Sequence, residues 1–385
     1  MRRADPLPDR HGHAARLPDS SDRGLTSLRL RHFEALRPVC PVCRAGAASG
    51  SLLAIAHVYR EVSGHIVEGI LHCANPLCQR EYPVIDGIPL LIGNLRHFIS
   101  ENPLRVLLRR DLEPPLESLI GDCLGSGSDF DHVRQQVSAY AWEHYGDLDP
   151  ARTAEDLHPG TMLGALEAGL RAVEQVPPGP ILDVGCGCGR STFDLAERTG
   201  ELVLGVDLHY PMLQVATGVL QQSVARYPLR RVGLVYDQRE FEVQIRGREN
   251  VDFWACDATA LPFDPGTFPL AVGLNVLDSV YSPREFLSEL ASVLRPGGRT
   301  VLTCPYDWTA GATPVEAWLG GHSQRSPLAG SSEAVLRAML TPGASPSGVE
   351  GLRIIAELDD LPWRVRLHDR ATMNYRLHLI VAERV

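Results

Sequence analysis

The sequence predicts an α/β chain: a doubly wound, mostly parallel sheet with crossover helices, preceded by a small β-rich segment held by cysteine pairs. Three observations carry this. The stretch Ile181–Arg190, ILDVGCGCGR, reads as a buried strand, a glycine turn and a helix start. Further apolar runs follow, and the first three of the series end in Asp183, Asp207 and Asp257. Upstream lie two cysteine pairs, Cys40/Cys43 and Cys73/Cys78.

The elements justify themselves in order. Gly185, Gly187 and Gly189 stand at every second position, where a backbone must turn and a ligand can lie against it without Cβ interference. Ser191–Thr199 is helix-like and stops at Gly200. Glu201–Leu208 is a second strand. Its terminal acid, Asp207, sits where a doubly wound sheet can accept hydrogen bonds from both hydroxyls of a ribose. Val251–Phe263 gives a third strand and Phe268–Leu277 a fourth, which carries Asn275. Pro283–Leu294 is helix-like and ends at Arg295-Pro-Gly-Gly298; Thr300–Cys304 is a fifth strand. The β-α-β-α-β-β-α-β order implies parallel strands with crossovers.

Across 385 residues the formal charge is −10, which weighs against tight nucleic-acid binding and its need for Lys and Arg. No run reaches the ~18 apolar residues of a membrane helix. Met1–Gly24 is rich in Arg, Asp, Pro and Ser and lacks a signal-type apolar region, so residues 1–36 are expected to be a disordered tail and the chain cytoplasmic.

Of nine cysteines, four form C-x2-C, twenty-nine residues, then C-x4-C. Two such pairs on separate turns can set Cys40, Cys43, Cys73 and Cys78 tetrahedrally around one Zn²⁺. Four thiolates leave no open position for water, so the expected role is structural. Strand-like runs lie between the pairs, and Tyr82–Ile92 reads as strand, Asp-Gly turn, strand. The expected ribbon spans residues 37–93 and a helical linker 94–130 separates its core from a second domain over 131–385. Within the linker, Gly121–Ser128 reads as flexible.

Asp131–Gly146 is a helix with an aromatic end, Tyr140, Trp142, His144 and Tyr145. Three segments extend the sheet plan on its carboxyl edge: Arg226–Arg248, Pro305–Arg325 and Leu361–Arg370. Substrate specificity is expected there. If Trp363–Arg370 is extended, alternation puts Arg364, Arg366, His368 and Arg370 on one face, a cationic row able to grip a carboxylate.

The spacing D-x-G-x-G-x-G, with Asp207, Asp257-Ala258 and the Pro-Gly-Gly turn, resembles the class I S-adenosylmethionine-dependent methyltransferases over roughly residues 140–385. The resemblance implies a Rossmann-like sheet of seven strands, the last antiparallel. It implies that Asp183, Gly185, Cys186, Gly187 and Gly189 hold the methionyl part of S-adenosylmethionine, and that Asp207 with Leu208 takes the ribose. Asp257 and Ala258 would contact the adenine, and Asn275 and Leu277 would border the methyl group. The amino-terminal segment, with its Y-P-x-x-x-G-I-P-x-L stretch, resembles the zinc ribbon of methyltransferase-activating proteins, here fused in cis. Within 182–385, GRSTFDLA, LNVLDSVYSP, RPGGRTVLTCPYDW, WLGG and R-x-H-x-R are similar to segments of the mercaptohistidine N-methyltransferase domains of ovothiol biosynthesis. The long 226–248 insertion, the ribbon and Asp369–Met373 depart from that family.

Methyl transfer from a sulfonium asks the protein to position a nucleophile and exclude water. A nitrogen acceptor needs a free lone pair, and His144, Tyr145, Tyr306 and His368 are the candidate bases. Tyr140, Trp318, Arg366 and Arg370 are the candidate substrate contacts. The expected acceptor is a small polar metabolite, such as an imidazole or thiol-imidazole amino acid. An RNA or protein methyltransferase using the ribbon for recognition, and a non-catalytic ribbon scaffold, stand as alternatives. The oligomeric state stays open.

Overall fold

The computed structural model describes residues 28–45, 49–62, 65–101, 103–107, 112, 114–152, 158–345 and 348–385. The chain opens with strand β1 (Leu28–Arg29) and helices α1 (Leu30–Leu36) and α2 (Pro41–Arg44). Strands β2 (Leu53–Val62), β3 (His65–Cys73), β4 (Glu81–Ile85) and β5 (Ile88–Leu91) follow. Asp86 and Gly87, at φ 53° and 77°, turn β4 into β5; an Asp-Gly pair with both φ positive suits the right-handed twist of a two-residue hairpin. Helices α3 (Leu95–Glu101), α4 (Pro103–Leu107), α5 (Pro114–Leu124) and α6 (Asp129–Tyr145) come next. Ser128 caps α6 by accepting from the Asp131 amide at 3.2 Å. Helix α7 (Thr161–Val173) leads into the main sheet.

There β6 (Ile181–Val184), α8 (Arg190–Thr199), β7 (Val203–Asp207) and α9 (Tyr210–Gln222) alternate. A hairpin of β8 (Val224–Val232) and β9 (Val235–Glu242) interrupts them. Then come β10 (Val251–Cys256), β11 (Phe268–Leu274), α10 (Pro283–Val293), β12 (Leu294–Cys304), α11 (Ser332–Met339), β13 (Leu352–His368) and β14 (Ala371–Arg384). Strands β6, β10 and β11 are buried at every residue, as expected of strands covered on both faces.

The main sheet has twelve strands in the order β1-β3-β4-β5-β10-β7-β6-β11-β12-β14-β13, with β2 beside β3. From β5 to β12 neighbours are parallel; β14 runs antiparallel to β12. The expected count of seven falls short because the amino-terminal strands join the same sheet. Leu90 and Leu91 of β5 pair in parallel with Ala255 and Cys256 of β10.

That seam corrects two expectations. The segment before the sheet was expected to own a separate core. Instead Leu28, Phe33, Leu36, Leu71 and Tyr82 lie in one buried cluster with Leu182, Val206, Trp254, Phe263 and Phe286. A second cluster, on the other face, gathers α6 to α9. Residues 28–36 are likewise no tail: Leu28 and Arg29 pair with Ile66 and His65, and the Arg29 amide donates to Asp252 at 3.1 Å. The rest of the expected tail lies outside the described residues. Gly121–Leu124 is the end of α5 rather than a loose linker.

Candidate active site

The glycine turn between β6 and α8 needs positive φ at Gly185, Gly187 and Gly189 (68°, 53° and 86°). Their surroundings differ. A Cβ on Gly185 would lie 2.2 Å from Val276 Cγ2, and one on Gly189 would lie 2.6 Å from Phe253 Cζ. Those two glycines are demanded by packing. A Cβ on Gly187 would make only ordinary contacts, the nearest with His144 Nε2 at 3.5 Å, so packing does not demand glycine there.

The three strand-end carboxylates have separate duties. Asp183 is buried and accepts from Ser191 Oγ at 2.6 Å and Thr192 Oγ1 at 2.7 Å, fastening α8 to β6. Burial pushes its carboxyl up to about 6, against the pull of those hydroxyls. Asp207 accepts from the Gly187 amide at 2.8 Å and the His209 amide at 2.7 Å. A carboxylate has about four acceptor positions, so lone pairs remain for a ligand. Burial holds its carboxyl above the usual range. Asp257 accepts both the amide and hydroxyl of Thr259 through Oδ1, at 2.8 and 2.7 Å. Leu208 and Ala258, beside these acids, are exposed and half-buried.

Asn275 follows β11 in the left-handed region, at φ 58°. Its amide donates to Thr303, its Oδ1 accepts from Thr303 Oγ1 at 2.8 Å, and its buried Nδ2 has no partner among the described residues. Leu277 and Cys186 are each 1 % exposed and belong to the core, packing beneath the site.

Helix α6 closes one side. Tyr145 is buried and its phenol donates to the Cys188 carbonyl at 2.6 Å. His144 accepts from the Arg190 amide through Nδ1 at 3.0 Å, and its own carbonyl accepts from Arg190 Nη1. Burial, aided by the Arg190 charge, drops the imidazole to about 3, so it is neutral. Neither residue is left as a base for an acceptor: one phenol is spent, and the one imidazole lone pair is taken.

Opposite stands a wall that sequence reasoning missed except for Tyr140. Tyr140 lies 6.2 Å from Trp363, which stacks on Tyr375 at 4.8 Å. The Tyr375 phenol donates to Asp307 at 2.8 Å, and the Asp307 amide donates to Asp278 Oδ2 at 2.8 Å. Burial, then the carboxylates of Asp278, Asp207 and Asp307, hold the Tyr140 phenol above its usual range. Asp278 and Asp307 repeat the pattern of acids just past a strand's carboxyl end; that repetition was the available signal.

Other expected contacts turn elsewhere. Tyr306, at φ 56°, meets His378 Nδ1 with its phenol at 2.6 Å, and His378 Nε2 meets Glu357 at 3.0 Å. Trp318 stacks on Trp308 and donates to the Thr313 carbonyl at 2.8 Å. The cationic row does not form. The strand pairing shifts register between Arg366 and His368, which breaks the alternation. Arg366 donates to the Arg230 carbonyl at 2.9 Å and pairs with Asp369. Arg370 is exposed at the β13–β14 turn, its amide on His368 Nδ1. The 226–248 insertion is the β8–β9 hairpin, tied to α6 by Arg230 on Ser138 and Gln135. A cavity of about 620 Å³ between α6, α9 and this hairpin contains none of the glycine-turn residues.

Residues 182–302, from β6 into β12, match the methyltransferase domain family. Over this stretch the chain is similar to methyltransferase domains. Methyltransferase GfsG of Streptomyces halstedii is 28 % identical over 48 % of this chain and 62 % of its own. A demethylmenaquinone methyltransferase of Lactococcus lactis is 31 % identical over 31 % of this chain and 40 % of its own. The chain thus spans about half the length of these curated relatives. Among solved structures, a chain from the complex between the Haloferax volcanii Trm112 methyltransferase activator and its methyltransferase is 15 % identical. It covers 66 % of this chain and 97 % of its own, with a TM-score of 0.36. The methyltransferase domain is a mixed α/β fold around a large, mostly parallel sheet. Among the described residues no helix is long and apolar enough to cross a membrane.

Proposed function

We propose that the chain transfers a methyl group from S-adenosylmethionine to a nitrogen of a small polar metabolite, an imidazole or thiol-imidazole amino acid being the favoured class. The observation that carries the reading is Asp207. It anchors the turn through the Gly187 amide and keeps acceptor capacity beside the one glycine of the turn that packing does not demand. Bound S-adenosylmethionine supplies an activated methyl group. Gly187 gives the methionyl part room, Asp207 receives the ribose hydroxyls, and Asp257 with Ala258 borders the adenine.

Asp278, Asp307, Tyr140, Trp363 and Tyr375 make an acidic, aromatic acceptor side. Such a wall favours a basic nitrogen over an anionic group, through carboxylate pairing and the ring faces. Burial raises Asp278 above the ordinary carboxylate range, which suits a group that takes up the proton an amine must lose.

The four amino-terminal cysteines fit a structural Zn²⁺. Zn–S bonds of about 2.3 Å in a tetrahedron put sulfurs about 3.8 Å apart. Here Cys40 and Cys78 lie at 3.8 Å, Cys43 and Cys73 at 3.6 Å, and all four sulfurs fall within 4.8 Å. Tyr82 Oη stands 3.1 Å from Cys40 Sγ, and the Asn75 amide donates to Cys73, the outer hydrogen bonds a thiolate site uses.

Calorimetric titration of the purified chain with S-adenosylmethionine tests the reading, followed by methyl transfer to a panel of imidazoles, amines and carboxylic acids. Binding with turnover on basic nitrogens is expected. No cofactor binding refutes the activity, and turnover confined to carboxylic acids refutes the acceptor class.

A further inference from the structure

His144 was expected to be a base, and its surroundings give it a different task. The residue is 2 % exposed. A backbone amide can only donate, so the Arg190 amide at 3.0 Å from Nδ1 fixes the tautomer with the proton on Nε2. That Nε2–H makes no hydrogen bond among the described residues. It points over Gly187, where even an added Cβ would stop 3.5 Å short of it. The result is an unspent donor, carried on a buried ring and lying beside Gly187.

The acceptor it faces is defined by position. Helix α8 begins at Arg190, and its free amides and dipole favour a negative group at this end. Arg190 also holds the end of α6, through the His144 carbonyl at 3.0 Å and Asp147 at 3.2 Å. Ring, helix start and Gly187 are therefore one rigid unit. Asp207, on the other side of Gly187, is itself an acceptor and suits hydroxyls. An ammonium cannot accept a hydrogen bond.

We infer that His144 binds the cofactor's methionyl carboxylate through Nε2–H, acting as a positioning donor in place of a catalytic base. This rests on the methyltransferase reading above. It also leaves proton removal from the acceptor to the carboxylate wall across the cleft.

The test compares two ligands that differ only in the carboxylate: S-adenosylmethionine and decarboxylated S-adenosylmethionine. Each is titrated calorimetrically into wild type, His144→Ala and His144→Gln. The glutamine amide can reach where Nε2–H stands. His144→Ala is expected to bind S-adenosylmethionine about 10- to 100-fold more weakly, the worth of a hydrogen bond to a charged group. Its affinity for the decarboxylated ligand should stay within about twofold of wild type, and His144→Gln should recover most of the loss. Equal losses for both ligands, or no loss for either, overturn the inference. If wild type binds neither ligand, the methyltransferase reading itself fails. Should His144→Ala not fold, His144→Gln against wild type keeps the comparison, with a retained preference for the carboxylated ligand expected and its disappearance fatal.

Discussion

The phenol of Tyr145 donates to the carbonyl of Cys188 at 2.6 Å, with both groups sealed from solvent. One hydrogen bond thus ties the end of α6 to the glycine turn, forty-three residues later in the chain. Tyr145→Phe keeps the ring and removes this hydrogen bond. A loss of about 0.5–1.5 kcal/mol is expected in chemical denaturation. Cofactor affinity should fall as well, because the turn loses a support; an unchanged denaturation midpoint would count against this role.

Alanine at Gly185 and at Gly187 should fail in different ways. At Gly185 the new methyl meets Val276 at 2.2 Å on a backbone with φ 68°, so the variant should lose stability severely or not fold. At Gly187, φ 53° carries some strain, yet no protein atom is closer than 3.5 Å. That variant should fold, with Tm lowered by a few degrees, and lose most cofactor binding because the methyl fills the ligand's space. Thermal melts and ligand titrations on both proteins separate the two outcomes.

Glu143 is buried beside His144 and accepts from Thr161 Oγ1 and the Met162 amide, both at 2.9 Å and both through Oε1. Burial pushes its carboxyl up to about 7 from the usual 4.5. A raised folded-state value means the proton stabilises the native state. That stability is complete below about 4.5 and is lost as pH rises through 7. Glu143→Gln reproduces the protonated form and keeps the Oε1 acceptor. Relative to this variant, wild type should lose on the order of 3 kcal/mol between pH 4.5 and 8. Parallel pH dependences in urea denaturation would show the carboxyl is not held this way.

Cysteine loss should be felt far from the ribbon. Since Tyr82, Leu71 and Leu36 share a core with Trp254 and Phe263, Cys40→Ser is expected to remove bound zinc and to lower the unfolding midpoint of the whole chain in one cooperative step. Elemental analysis and a denaturation curve followed by Trp fluorescence check both parts. An early ribbon transition followed by an unshifted main one would contradict it.

Much of this architecture is readable from local pattern. Strands β6, β7 and β10 are short apolar runs with an acid at or beside the carboxyl end, and three glycines in alternation mark the turn after β6. Failures came where long-range pairing or a single backbone angle decides. Ile88–Leu91 is buried at all four positions, a sign of cover on both faces, but nothing local names β10 as its neighbour. Leu28–Leu36 continues a polar leader, and its burial depends on partners at His65, Ile66 and Asp252. The Arg366–His368 alternation fails at one irregularity in pairing. Tyr306 takes a left-handed φ and meets His378 instead. His144 was expected to be a base, but its tautomer depends on one amide of Arg190, which no spacing rule reveals.

The seam between β5 and β10 also has a consequence in time. Leu90 and its partner Ala255 are 165 residues apart, so the amino-terminal strands leave the ribosome well before the strand that covers their edge. At about 5–20 residues per second the wait is roughly 8–33 s, far longer than a hairpin takes to form. During that interval β5 presents an unpaired row of amides and carbonyls, the kind of edge that recruits foreign strands. Synthesis order therefore makes this early segment the template on which the later sheet closes, and the part of the chain with most to gain from a chaperone.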